Sequence, residues 1–87
     1  MPGKLIIYVP NSVTKSLSKI PLPWKERIAK AIDLLEENPY MGEKMTGQLA
    51  NCRKIRIWPY RIVYQINKNK KFIKILEIQH RGNVSYG

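Results

Sequence analysis

The chain has 87 residues, with 16 Lys and Arg against 6 Asp and Glu, one cysteine and a formal net charge of +10. That length predicts one small domain over residues 1–87, with a modest core that withdraws about 60–65% of the unfolded surface from water. A lone Cys52 excludes a disulfide framework and a cysteine-rich zinc site, and no apolar run nears the roughly 20 residues that span a bilayer.

In chain order, Lys4 to Val9 is short, β-branched and apolar, and Pro10 ends it, so it reads as the first strand. Asn11 or Ser12 is expected to cap a helix whose apolar face is Val13, Leu17 and Ile20. Pro21 and Pro23 break that helix, and Pro23 is placed in the first turn of the next. Trp24, Ile28, Ala31, Ile32 and Leu35 form the apolar stripe of the second helix, closed by Asn38 and Pro39.

Residues 39–51, with Gly42 and Gly47 and no clear period, read as a loop. Arg53 to Trp58 is the second strand and Tyr60 to Ile66 the third, with Pro59 at the tight connection. Asn67 to Lys70 is a polar turn, Lys71 to His80 the fourth strand, and Gly82 to Gly87 a short tail. The order predicts an α+β fold, βααβββ, with a helical hairpin on one face of a small, mostly antiparallel sheet.

Charge is unevenly spread. From Arg53 onward the chain holds nine Lys and Arg against Glu77 alone, so +8 of the +10 lies in the last 35 residues. Such a balance favours an acidic partner, nucleic acid before an anionic membrane or an acidic protein. Strand alternation puts Ile55, Ile57, Ile62, Tyr64 and Ile66 on a core face. It puts Lys54, Arg56, Trp58, Arg61, Val63 and Gln65 on the other. Like charges brought together cost stability. A small domain that keeps Lys54, Arg56 and Arg61 together is expected to use them on an anion.

Taken together, several features resemble the RelE/ParE superfamily of toxin–antitoxin toxins. They are the βααβββ order, the Asn38-Pro39 helix end, the loop Lys44 to Gly47, Arg53 to Arg56, Tyr60 to Tyr64, His80-Arg81 and the terminal Tyr86. The resemblance covers nearly the whole chain. It implies one of two activities. RelE-like members cut messenger RNA in the ribosomal A site, and ParE-like members poison DNA gyrase without catalysis. Lys54 and Arg56 fall where RelE-type enzymes carry two basic residues. Arg61 and Arg81 fall on their phosphate-binding arginines, and Tyr86 on their C-terminal tyrosine. Arg56 departs from the RelE pattern, which has a second lysine there. The RelE-like reading, a cytoplasmic messenger-RNA interferase silenced by a separate antitoxin and working on ribosome and mRNA, is the favoured expectation. The alternatives are a gyrase inhibitor, or a decayed homologue that only binds nucleic acid.

The expected chemistry needs no metal and no cofactor. The RNA 2′-hydroxyl attacks the adjacent phosphate, which requires a base, cations for the pentacoordinate phosphate and a proton for the leaving oxygen. Lys54 is the expected base or else a phosphate contact; crowding by Arg56 and Arg61 disfavours its charged form. Arg56, Arg61 and Arg81 suit a bidentate phosphate clamp. Tyr86 is expected to stack on a base or bond the phosphate. Trp58 is either a stacking surface or a cap on the sheet edge. Lys68, Lys70, Lys71 and Lys74 are either a solvated turn or a non-specific grip on RNA. His80, on Ile78's face by alternation, is a secondary candidate proton donor or a packed core residue. Cys52 reads as structural.

Overall fold

The computed structural model describes residues 5–45 and 51–81. The chain runs β1 (Ile6–Tyr8), α1 (Asn11–Ser18), α2 (Trp24–Leu34), β2 (Glu43–Lys44), β3 (Cys52–Ile57), β4 (Tyr60–Asn67) and β5 (Phe72–His80). The sheet order is β1-β5-β4-β3-β2, with β1 parallel to β5 and the other pairs antiparallel. The predicted α+β architecture is therefore present, with one strand more than expected. Glu43 and Lys44, read as loop, pair with Lys54 and Arg53. Two residues are too few to show a period, so this edge is invisible in the sequence pattern.

Pro10, rather than Asn11 or Ser12, is the N-cap of α1. Its extended backbone ends the first strand, and its carbonyl accepts from the N–H groups of Val13 and Thr14, each at 3.0 Å. Pro23 likewise stands just before α2 and accepts from the Arg27 N–H at 3.2 Å. Val13, Ile20, Ile28, Ile32 and Leu35 are buried with Tyr60, Ile62, Tyr64, Ile73, Ile75 and Ile78. Leu17 and Trp24, both expected to be buried, are half-buried and pack against this core, with the Trp24 ring 6.3 Å from that of Tyr60.

A register shift between Val63 and Tyr64 explains β5. Val63 faces Glu77, whereas Tyr64 faces Ile75, which leaves Leu76 as the extra residue. Strict alternation from Ile73 and Ile75 would turn Glu77 and Gln79 into the core. The bulge instead turns Ile78 inward and puts Glu77 and Gln79 on the opposite face.

Tyr64 ties the helix side to the sheet edge. Its ring is fully buried. Its hydroxyl donates to the Pro39 carbonyl at 2.8 Å and accepts from the Gly42 N–H at 3.0 Å. Arg53 Nη1 donates to the Gly42 carbonyl at 2.8 Å and to that of Tyr40 at 3.3 Å. A Cβ on Gly42 would lie 2.7 Å from Tyr64 Oη and 2.8 Å from the Lys54 carbonyl oxygen. Gly42→Ala must therefore displace β2 from β3, and is expected to cost about 1–3 kcal/mol of unfolding free energy in a denaturant titration.

Burial pushes the Tyr64 phenol above its ordinary range, against smaller opposing effects of the Gly42 hydrogen bond and the Arg53 charge. A raised folded-state value means that this contribution to stability is intact below the unfolded tyrosine's titration, near pH 10. It is lost as pH rises through the folded-state value. Cys52 is buried, and its thiol is also pushed up by burial, away from the reactive thiolate, in keeping with a structural role.

Candidate functional site

The face of the sheet away from the helices carries the basic cluster. Arg56 on β3 stands directly opposite Arg61 on β4, and Arg61 opposite Gln79 on β5. One step along, Lys54 faces Val63, which faces Glu77. Directly opposed residues in an antiparallel pair have Cβ atoms about 4.5–5.5 Å apart and diagonal ones about 7–8 Å, so Lys54, Arg56 and Arg61 share one patch. Arg61 and Lys54 are half-buried and Arg56 is exposed. Arg81 follows Gln79 by one alternation. Its backbone N–H donates to the Pro59 carbonyl at 2.8 Å, which pins it beside the β3–β4 turn.

Trp58 lies in that turn rather than on β3. It is 67% exposed, and the Arg81 guanidinium sits 4.7 Å from its ring centroid. This is cation–π distance, so the indole holds the guanidinium at the end of the patch while its own surface stays open. Trp58 thus stands exposed in the turn with Arg81 against its ring, and not over the sheet edge.

The patch is not purely cationic. Glu43, on the unexpected strand β2, faces Lys54 across the β2–β3 pairing, and its Oε1 lies 4.0 Å from Arg56 Nε. Both side chains are largely exposed, so the pair adds little stability, but it fixes a carboxylate among the cations. The sequence reading missed Glu43 because it read residues 39–51 as loop. The alternation of Lys54 and Arg56 would have placed it, had a strand been recognised opposite them. Glu77 shares this face and accepts from Gln79 Nε2 at 3.2 Å.

The other expected site residues among the described ones do not join the patch. His80 pairs with Tyr60 on the core face, its ring 4.9 Å from the Tyr60 ring in an edge-on arrangement. Lys68, Lys70 and Lys71 are exposed around the β4–β5 turn, at the far end of the sheet. There the Lys70 N–H donates to Asn67 Oδ1 at 2.9 Å, and Lys71 adopts φ 57°. Lys74 faces Gln65, its ammonium 6.0 Å from the Tyr8 ring centroid. Tyr86 and the Thr46-Gly47 part of the loop lie outside the described residues. Among the described residues no group of three or more His, Cys, Asp and Glu side chains is placed to hold a metal ion. Nor is any helix long and apolar enough to cross a membrane.

The family model of the ParE toxin of type II toxin–antitoxin systems, parDE, matches residues 10–84. The chain belongs to this toxin family, within the RelE/ParE superfamily. Solved structures agree on the fold. The Mycobacterium tuberculosis RelBE2 toxin–antitoxin complex contains a chain with TM-score 0.77 and 21% identity, over 90% of this chain and 99% of that one. The isolated E. coli RelE toxin gives 0.76 and 22%, over 87% and 83%. The archaeal RelE–RelB complex from Pyrococcus horikoshii gives 0.74 and 28%, over 91% and 97%. Among curated proteins, none matches in sequence. The family model is named for ParE and these structures for RelE. Family membership therefore gives a type II toxin, and the choice between branches rests on the residues of the patch.

Proposed function

We propose that the chain is a ribosome-dependent endoribonuclease of the RelE-like branch, which cuts messenger RNA without a metal and is held inactive by a separate antitoxin. The observation that carries this reading is the juxtaposition of Arg56 and Arg61 with Lys54 on one sheet face, with Arg81 next to Gln79 at its end. A toxin acting only by binding gyrase has no need of Lys54, Arg56 and Arg61 gathered on one patch with Arg81 at its end.

In this reading the scissile phosphate lies over Arg56 and Arg61. Lys54 takes the proton of the 2′-hydroxyl. The freed oxygen attacks phosphorus, the bond to the 5′-oxygen breaks, and that oxygen collects a proton. The products are a 2′,3′-cyclic phosphate and a 5′-hydroxyl. The arginines stabilise the extra negative charge of the pentacoordinate phosphate, and being fixed on strands they need little reorganisation to do so. Arg81, steadied on Trp58, holds a neighbouring phosphate, and the exposed indole offers a stacking surface for a flanking base. Tyr86 is assigned the same neighbourhood by resemblance alone. Glu43 and Glu77 are the carboxylates on this face able to accept a proton, and the nearness of Glu43 to Arg56 gives it a positioning role.

Supporting an antitoxin partner, the structures from M. tuberculosis and P. horikoshii are toxin–antitoxin complexes. The +10 charge of this chain suits an acidic segment that folds on binding. Purified chain added to translating ribosomes should produce discrete mRNA ends by primer extension, and none on naked mRNA. Intact mRNA together with inhibited gyrase supercoiling would place the chain in the ParE-like branch instead.

A further inference from the structure

A recess of about 620 Å³ lies away from the catalytic patch. It lies at the far end of the β3–β4 hairpin, lined by Tyr40, Lys44, Asn51, Arg53, Asn67 and Lys68 among others. Two of its cations are gathered on one ring: the Arg53 guanidinium is 5.0 Å and the Lys68 ammonium 5.6 Å from the Tyr40 centroid. Lys44 faces Arg53 directly across the β2–β3 pairing. Three positive charges thus converge, and residues 44–76 contain no Asp or Glu; the adjacent acid, Glu43, pairs opposite Lys54 and lies 4.0 Å from Arg56 Nε.

Arg53 already supports the loop through Nη1, which donates to the carbonyls of Gly42 and Tyr40. A guanidinium has five N–H donors, so its remaining nitrogens are not used by those contacts. Clustered cations of this kind destabilise the fold unless an anion neutralises them. The rest of the lining is rich in amides, with Gln65 and Asn69 beside Asn51 and Asn67. Amides both donate and accept, which suits the sugar hydroxyls and base edges next to a phosphate. A carboxylate from an acidic protein would need donors only.

We propose that this recess is a second phosphate site, which holds the backbone of a single RNA strand through Lys44, Arg53 and Lys68. The amides meet the attached nucleotide, and Tyr40 keeps the two cations in place. Arg53 and Lys44 adjoin Lys54 and Glu43 in the chain but alternate onto the other side of their strands, and Lys68 is seven residues from Arg61, about 23 Å at about 3.3 Å per residue, so the site is distinct from the catalytic patch. It gives the toxin a hold on RNA that does not depend on the phosphate being cut. The choice of RNA rests on the ribonuclease reading, but the binding test below does not require any cleavage.

The probe is a short, fluorescein-labelled single-stranded oligoribonucleotide with 2′-O-methyl sugars, which lacks the attacking hydroxyl. Binding is followed by anisotropy at several salt concentrations. The double variant Lys44→Ala/Lys68→Ala should bind roughly tenfold more weakly at about 0.15 M salt. Its log–log salt slope should be shallower by about 1.4, the loss of two phosphate contacts on a single strand. Lys15→Ala/Lys19→Ala removes the same charge from α1 and the residue after it, and should change binding less than about twofold. Circular dichroism checks that both variants are folded. Equal losses in the two doubles would reduce the effect to net charge and overturn the site. So would unchanged RNA binding in Lys44→Ala/Lys68→Ala with weakened binding of an oligoglutamate peptide, which would assign the recess to an acidic protein partner. Absence of mRNA cleavage on ribosomes would refute the proposed function and leave this binding result standing.

Discussion

Arg61→Ala is expected to slow single-turnover cleavage on ribosomes by about 10²–10³, the usual cost of removing one preorganised donor to a developing charge. Arg61 stands at the centre of the patch, opposed by Arg56 on one side and by Gln79 on the other. The fold should survive, because Arg61 lies on the sheet face away from the helices and the substitution relieves a like-charge pair. Thermal unfolding of Arg61→Ala should therefore match or exceed that of the wild type. Arg81→Ala should have the same sign of effect on cleavage. Normal single-turnover rates with weaker ribosome binding would make either arginine a docking residue.

The largest stability effect is expected at Tyr64. Tyr64→Ala removes a fully buried ring and both hydrogen bonds that hold the Pro39–Gly42 segment. Large-to-small changes of buried aromatics cost about 3–5 kcal/mol, much of the total stability of a small domain. Tyr64→Phe keeps the ring and strips only the hydroxyl, which leaves the Gly42 N–H and the Pro39 carbonyl without that partner. It should cost about 1–3 kcal/mol. The consequence reaches the site, because Gly42 leads into β2 and β2 carries Glu43. Tyr64→Phe should loosen the Glu43–Arg56 pair, measurable as faster amide exchange at Glu43 and Lys54.

Much of this was legible in the sequence because strands obey a period of two. Ile55, Ile57, Ile62 and Tyr64 against Lys54, Arg56 and Arg61 is an unbroken alternation, and it alone separates the core face from the basic patch. The failures are equally physical. A two-residue strand has no period, so β2 and Glu43 were hidden. The α1 cap lies one or two residues before the expected Asn11 or Ser12, because Pro10, which has no side-chain acceptor, ends β1 and opens the helix through its carbonyl. Trp58, expected as the last residue of the second strand, belongs instead to the turn with Pro59. The Tyr40 recess depends on residues from three separate stretches of chain, and no local pattern announces it.

Lys54→Arg tests the central claim most directly, because it separates catalysis from binding on the same side chain. Arginine keeps the positive charge and the hydrogen-bond donors but does not give up a proton in proteins. Single-turnover cleavage and ribosome binding should be measured together for the wild type and this variant. If the patch is a catalytic site with Lys54 as its base, cleavage should fall by at least about 10² while ribosome binding stays within a few-fold of the wild type. A Lys54→Arg protein that cuts mRNA at close to the wild-type rate would contradict the account.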